Sequence, residues 1–160
     1  RYAPRSKRSP NEGGVRTPVM IRWPGKVEQK FDEQTLVSSI DLAPTILRAC
    51  GLKVPPSMGG IDLRDRAALM KRNAVFGAAY DHDIHDVSRP NLSVQTRFVV
   101  ADTWKLLSHH QKAAQGKPVE LYNLSADPAE RQNLAAQHPG KVKELRAKLD
   151  AWWAGPKRAP

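Results

Sequence analysis

The sequence is poor in cysteine and in aromatic residues, and it contains no long apolar run. Its one cysteine, Cys50, cannot close an internal disulfide or supply a cysteine metal cluster, which excludes a disulfide scaffold and a zinc ribbon. Without a stretch of about 18 apolar residues it offers no membrane-spanning helix, and no charged-then-apolar opening reads as a signal peptide. Gly-x-Ser-x-Gly, P-loop and dinucleotide fingerprints are absent, as are internal repeats and low-complexity tracts. Negative charge is the scarcer sign: 16 Asp and Glu stand against 26 Lys and Arg, a formal net charge of +10. What the chain does have is size and apolar content, 160 residues of which 40% are hydrophobic. A compact chain of that size buries roughly two-thirds of its unfolded surface, enough for one core.

The excess positive charge lies at the two ends. Residues 1–8 contribute +4, residues 141–160 another +4, and the 132 between them only +2. A duplex-binding module spreads its cations along one groove-facing element, so this distribution argues against nucleic acid as a partner. The C-terminal cluster reads as the solvated face of a helix. The N-terminal one sits in a proline-punctuated loop and is placed to face an anion. The chain opens Arg1-Tyr2-Ala3 without methionine and runs straight into that loop, so the expectation is the C-terminal piece of a longer polypeptide.

Apolar patterning predicts the elements. Pro18 to Trp23 is a short β-prone run closed by Pro24-Gly25, which reads as a buried strand whose neighbours come from elsewhere. After a polar connection over 26–37, Asp41 is expected to cap a helix in which Leu42, Ala43, Ile46, Leu47 and Cys50 repeat at helical spacing. Pro44 is tolerated in its first turn and Gly51 ends it. On that stripe Cys50 points into a core and is structural. Residues 53–73, rich in Pro, Gly and charge, read as a linker with a turn of helix near Arg66 to Met70. Short β-leaning runs at 74–80, 96–101, 104–108 and 120–124 precede a helix opened by Pro139, with Val142, Leu145, Leu149, Trp152 and Trp153 on one stripe. The expected unit is α+β: an antiparallel sheet with one face covered by that helix, its tryptophans packed on the sheet.

Three constellations hold residues that could do chemistry. In Lys7-Arg8-Ser9-Pro10-Asn11-Glu12-Gly13-Gly14-Val15-Arg16-Thr17-Pro18, adjacent glycines permit close backbone approach and the preceding cations could hold an anion. Asp81-His82-Asp83-Ile84-His85-Asp86 follows a strand, and its density of His and carboxylate suits substrate contact, a metal or a solvated turn. The neighbouring pair His109-His110 reads as the tip of a hairpin. From Glu120 to Leu134 a strand end leads into an Asp127-Pro128 turn. The sequons at Asn91 and Asn123 matter only in a glycosylating compartment. Residue spacing alone leaves an α+β chain of undefined activity.

Taken in order, these residues resemble the C-terminal part of the sulfatase family, within the alkaline phosphatase superfamily. Lys7 to Pro18 is similar to that family's Lys-x-x-x-x-Glu-Gly-Gly-Val-Arg-x-Pro element, and Val19 to Lys26 to the strand and turn that follow it. Asp41-Leu42-Ala43-Pro44-Thr45 resembles its Asp-Leu-x-Pro-Thr helix. Trp104-Lys105-Leu106-Leu107 and Leu121 to Leu134 resemble its tryptophan-lysine strand and closing Leu-Tyr-x-Leu-x-x-Asp-Pro-x-Glu-x-x-Asn-Leu element. The resemblance implies an α/β parent fold, with residues 1–52 ending the catalytic domain, 53–73 a linker, and 74–160 a small antiparallel sheet packed on a C-terminal helix.

It further implies hydrolysis of sulfate esters, or sulfamates, by a parent protein that uses formylglycine and calcium. Lys7 aligns with the lysine that contacts the sulfate group; His82, Asp83 and His85 are candidates for substrate binding. The implied partners are a sulfated small molecule or glycan and the rest of the protein's own chain, with no nucleic acid and no membrane. The implied setting is periplasmic, extracellular or lysosome-like. The family's Cys-x-Pro-x-Arg element is missing, since Cys50 is followed by Gly51-Leu52-Lys53, and no motif here matches its calcium ligands or catalytic histidines. Asn11 stands where an aromatic residue is common. The residues present are therefore expected to be inactive alone, with no metal ligands of their own. Competing expectations are a phosphoester or phosphonate hydrolase of the same superfamily and a non-catalytic polyanion-binding module.

Overall fold

The computed structural model describes residues 5–84, 86–110 and 119–153. Contacts divide the chain into two compact units, one built from Arg1–Thr17 and Phe76–Pro160, the other from Pro18–Val75.

The first unit is organised by a sheet in the order β1 (Val75–Tyr80), β2 (Val94–Ala101), β3 (Trp104–His109) and β4 (Val119–Asn123). β3 pairs antiparallel with β2 on one side and with β4 on the other. The turn between β2 and β3 is only Asp102-Thr103. Its first residue has φ of 51°, a left-handed conformation that Asp tolerates and that tight hairpins require. The four expected strands are all present, each within two residues of its expected bounds.

Register assigns the two faces. Ala101 opposes Trp104, Val99 opposes Leu106 and Leu106 opposes Leu121, so these residues share a face with Arg97. α4 (Pro139–Trp152) packs there, with Leu145 and Leu149 fully buried, each contributing roughly 1.5–3 kcal/mol by burial. Proline at its start needs no donor, because the first-turn amides have no helical acceptor. The 3% exposed Arg97 ties down the far end of α4: its guanidinium donates to Asp150 Oδ1 at 3.0 Å, to the Trp153 carbonyl, and to His110 Nε2 at 3.1 Å. The leucines, rather than the tryptophans, form this core. Trp152 stacks on Phe76 of β1 with ring centroids 5.3 Å apart yet stays 45% exposed, and Trp153 meets Trp152 edge-on.

The opposite face carries Phe98, Val100, Lys105, Leu107, Glu120 and Tyr122 by the same register. Covering of a single face was expected. Here Lys105, Leu107 and Tyr122 are buried as well, and residues 5–16 reach this side: Glu12 bonds Lys105 and Arg5 lies over the Tyr122 ring, 5.7 Å from its centroid.

The second unit departs further from expectation. Residues 18–23 form no strand. They have no ladder partner among the described residues, and Val19, Met20 and Ile21 are exposed, Met20 at 92%. An extended apolar segment becomes a strand only when another backbone satisfies its N–H and C=O groups, and none is supplied here. α2 (Leu42–Ala49) forms where the apolar periodicity placed it, but Leu42 and Ile46 lie on the surface and Cys50 is exposed, so the cysteine does not enter a core. The buried side of α2 is instead marked by Pro44.

Asp41 does not cap α2 with its side chain. Its buried carboxylate ends a 3-10 turn, Ser39–Asp41, and gathers four donors: the Ser38 amide at 2.7 Å, the Ile61 amide at 2.8 Å, and two Arg72 nitrogens at 2.5 and 2.7 Å. Thr45 extends the connection, donating to the Asp41 carbonyl and accepting from the Leu63 amide. Residues 61–72 are thereby fastened to α2, and they include the expected helical turn as α3 (Arg66–Met70), capped by Asp65.

Burial alone would raise the Asp41 pKa, but the Arg72 guanidinium and the Ile61 and Ser38 amides outweigh it and hold the carboxyl below its ordinary value. A depressed folded-state pKa gives stability that is complete above the unfolded-state pKa and lost as pH falls through the folded-state value. Removing one partner of a buried pair costs roughly 3–5 kcal/mol. Asp41→Asn is therefore expected to lower unfolding stability by about that much near neutral pH. In urea titrations, the gap to the unmodified chain is expected to narrow below about pH 4 as Asp41 itself protonates.

Candidate active-site loop

The loop over residues 5–16 is built around one tight turn. The Ser9 amide donates to the Ser6 carbonyl at 2.9 Å, which places Lys7 and Arg8 at the two central positions. Arg8 has φ of 72°, the left-handed conformation a type II turn demands at its third residue, and Arg5 has φ of 59°. Side chains with a Cβ enter this region at a cost of about 1–3 kcal/mol. Lys7 is exposed at the crest of the turn.

Behind the crest the chain makes a single helical turn, α1 (Glu12–Val15), and the Ser6–Ser9 turn folds over it. That closeness is why two glycines stand at 13 and 14. A Cβ on Gly13 would lie 2.6 Å from the Arg5 carbonyl oxygen; on Gly14 it would lie 2.2 Å from that of Ser9 and 2.6 Å from that of Ser6. Asn11 fills the interior of the loop at 8% exposure. Its Oδ1 accepts from Ser9 Oγ at 2.8 Å, its backbone carbonyl receives the Gly14 and Val15 amides, and its Nδ2 has no partner among the described residues.

The loop is joined to the sheet through charge. Lys105, with no exposed surface, donates from Nζ to Glu12 Oε1 at 2.7 Å and lies 3.2 Å from Glu130 Oε1. The other oxygen of Glu130 receives the Glu12 amide at 2.6 Å. Glu130 follows the Asp127-Pro128 turn and has φ of 54°, so its position too is locally imposed. The Lys105 ammonium also lies 5.2 Å from the Phe98 ring centroid. Beside this assembly Arg5, Gly13, Pro128, Ala129, Glu130 and Arg131 line an open cleft of about 560 Å³.

His109 and His110 are not a hairpin tip. His109 is the last residue of β3, with Nδ1 2.9 Å from Thr96 Oγ1 and Nε2 3.8 Å from Glu120 Oε1; the His110 amide donates to Gln95. Tyr122 Oη donates to Glu120 Oε2 at 2.5 Å. His109 first, then Tyr122, outweighs burial and holds Glu120 down to about 2, while burial and Glu120 push the Tyr122 phenol up.

Of the expected site residues, Lys7 is thus presented on a braced turn. His82 and Asp83 follow β1, are exposed, and contact each other at 3.1 Å. His85 lies outside the described residues. Asp81 accepts from Gln95, and Asp86 is engaged by Arg89 and the Ser88 amide. Reading the sequence gave no role to Lys105, Glu12 or Glu130. The sequence carried little signal for them: strand alternation puts Lys105 on the face opposite Trp104 and Leu106, where a lysine reads as a solvated residue until something covers that face.

The model of the family N-sulphoglucosamine sulphohydrolase, C-terminal, matches residues 5–153. The chain is 32% identical over 156 residues to an N-acetylgalactosamine-6-O-sulfatase of Bacteroides thetaiotaomicron, covering 91% of this chain and 29% of that protein. It is 29% identical over 148 residues to arylsulfatase K of Xenopus laevis, covering 89% and 27%. Among solved structures it is similar, at TM-score 0.61 and 28% identity, to a sulfatase of Bacteroides thetaiotaomicron, over 81% of this chain and 27% of that one. It is also similar, at TM-score 0.52 and 25% identity, to a protein in complex with its substrate D-glucosamine-2-N,6-O-disulfate, over 73% and 24%. The chain thus spans less than a third of the length of these relatives. With a family match that runs through the Lys7 loop, the sheet and α4 alike, the chain belongs to the sulfatases, in the N-sulphoglucosamine sulphohydrolase C-terminal family.

Proposed function

We propose that this chain is the C-terminal part of an enzyme that hydrolyses sulfate esters or sulfamates on a sulfated carbohydrate, and that Lys7 supplies an ammonium to the sulfuryl group. The observation that carries this reading is Lys7 itself, exposed at the centre of a turn whose rear is tied to the sheet by Glu12, Lys105 and Glu130. Sulfuryl transfer spreads negative charge over the peripheral oxygens, and a cation held in place before reaction lowers the cost of that charge without reorganising. The neighbouring Arg8 adds to the same positive field. The names of the relatives support a sulfated sugar as the substrate class. His82 and Asp83, exposed after β1, are assigned to contact with the sugar, together with His85. The family's setting supports an extracytoplasmic enzyme.

The residues in hand do not fit the groups that make the family's nucleophile. Among the described residues there is no group of three or more His, Cys, Asp or Glu able to hold a metal ion. Cys50 is exposed at the end of α2 and is followed by Gly51-Leu52-Lys53, outside a Cys-x-Pro-x-Arg context. In this reading calcium and formylglycine belong to the remaining length that the relatives possess.

Three outcomes follow. In the full-length protein, Lys7→Ala is expected to lower kcat about 100–1000-fold on an aryl sulfate, the size of losing one preorganised charge donor, with an unchanged circular dichroism spectrum. Normal turnover would remove Lys7 from the site, and equal or better turnover of the matched aryl phosphate would shift the reaction class. The 160-residue chain alone is expected to release no sulfate; release at the full-length rate would place the chemistry within it. Gly14→Ala, which forces a Cβ against two carbonyl oxygens, is expected to cost about 1–3 kcal/mol of stability, read from the urea midpoint, and to lower turnover through the loop.

A further inference from the structure

The attachment of residues 5–16 to the sheet is almost wholly polar. Within that stretch only Asn11 is buried, so no apolar side chain anchors the loop. Its described links across to the sheet and the 127–131 turn are few. Arg5 donates weakly to the Ala129 carbonyl at 3.5 Å and covers Tyr122, while Glu12 contributes both its carboxylate, to Lys105, and its amide, to Glu130. The two carboxylates converge on one ammonium that has no access to water.

A fully buried lysine is an unusual choice for stability, since an apolar side chain of similar volume often serves a core as well or better. What the ion pair adds is direction. An apolar contact tolerates sliding, whereas an ammonium 2.7 Å from Glu12 and 3.2 Å from Glu130 fixes the loop in three dimensions. Glu12 is five residues from Lys7, within the same wrapped segment, and the Gly13-Gly14 contacts transmit its position to the Ser6–Ser9 turn.

We propose that Lys105 is a positioning residue for the sulfuryl-transfer site: its buried ammonium, clamped between Glu12 and Glu130, sets the geometry of the loop that presents Lys7. The proposal rests on the assignment of Lys7 to the sulfuryl group, and it concerns a group that does not itself touch substrate.

The test uses the full-length protein with Lys105→Met, Lys7→Ala and the double variant. Lys105→Met is expected to raise deuterium uptake of a peptide covering residues 6–16 at least about tenfold in rate, leaving peptides from β2 and β3 unchanged. It is expected to lower kcat about 100-fold, the size of a small misplacement of a catalytic group. The double variant is expected to be no slower than Lys7→Ala alone, because both substitutions remove the same interaction. Multiplying effects, or exchange rising equally in loop and sheet, would overturn the proposal and leave Lys105 a stabilising residue only. Glu12→Gln keeps the Lys105–Glu130 pair and gives a second reading should Lys105→Met be recovered unfolded. It is expected to show the same loop-confined exchange and the same non-additivity with Lys7→Ala, and their absence would sink the clamp. If Lys7→Ala alone retains full turnover while Lys105→Met still loosens residues 6–16, the clamp stands and the assignment of Lys7 falls.

Discussion

The ammonium of Lys105 is the constraint on which the first unit depends. Taking a single charge out of water costs several kcal/mol even after relaxation, so a lysine with no exposed surface exists only where its partners are held close. Those partners come from positions far apart in the chain: Glu12 lies 93 residues before Lys105, and Glu130 follows the turn beyond β4. Because Lys105 sits on β3, one of the two central strands, the ion cluster is rooted in the interior of the sheet. Loop, strand and turn are fixed together or not at all.

The two faces of that sheet divide the work. Leu106, Leu121, Leu145 and Leu149 supply the dry packing between sheet and α4. The other face is specified by charge and hydrogen bonding: Lys105 with its two glutamates, and Thr96, His109, Glu120 and Tyr122 in a connected row. Arg97 plays on the α4 face the part that Lys105 plays opposite, a buried cation that orients the end of a segment through Asp150 and the Trp153 carbonyl. Asp41 does so in the second unit, drawing Ser38, Ile61 and Arg72 onto one carboxylate. In each case a buried charge ties together segments distant in sequence.

This explains what could be read from the amino-acid sequence. β1 to β4, α3 and α4 were legible because local pattern and burial agree in them: short β-prone runs, a turn of helix, and leucines three to four residues apart. Where apolar residues face outward the reading failed: the strand expected at 18–23 is absent, and α2 is present but its expected core stripe is not buried. Val19, Met20 and Ile21, and the stripe Leu42, Ile46 and Cys50, have the patterning of buried segments yet lie exposed. Periodicity reports that a face is apolar, but not what covers it. In the reading proposed here, cover comes from the remaining length that the relatives have. The loop was legible as a loop, and the assignment of Lys7 to a site comes from resemblance alone. Its bracing was not, because an ion cluster joining residues 12, 105 and 130 leaves no local pattern.

The backbone of the loop carries the functional argument one step further. Arg5, Arg8 and Glu130 all adopt left-handed conformations without being glycine, at a cost of about 1–3 kcal/mol each. In Glu130 the strained conformation accompanies its contacts with Lys105 and the Glu12 amide; in Arg5 and Arg8 it lies in the turn that carries Lys7. The strain is concentrated where the Lys7 turn curls over Gly13-Gly14 and where Glu130 reaches back to Glu12 and Lys105. Strain and clamp belong to one arrangement: the buried ion cluster holds the loop to the sheet, and the strained turn leaves Lys7 exposed. Such a geometry suits a cation that must already be in place when negative charge develops on a substrate.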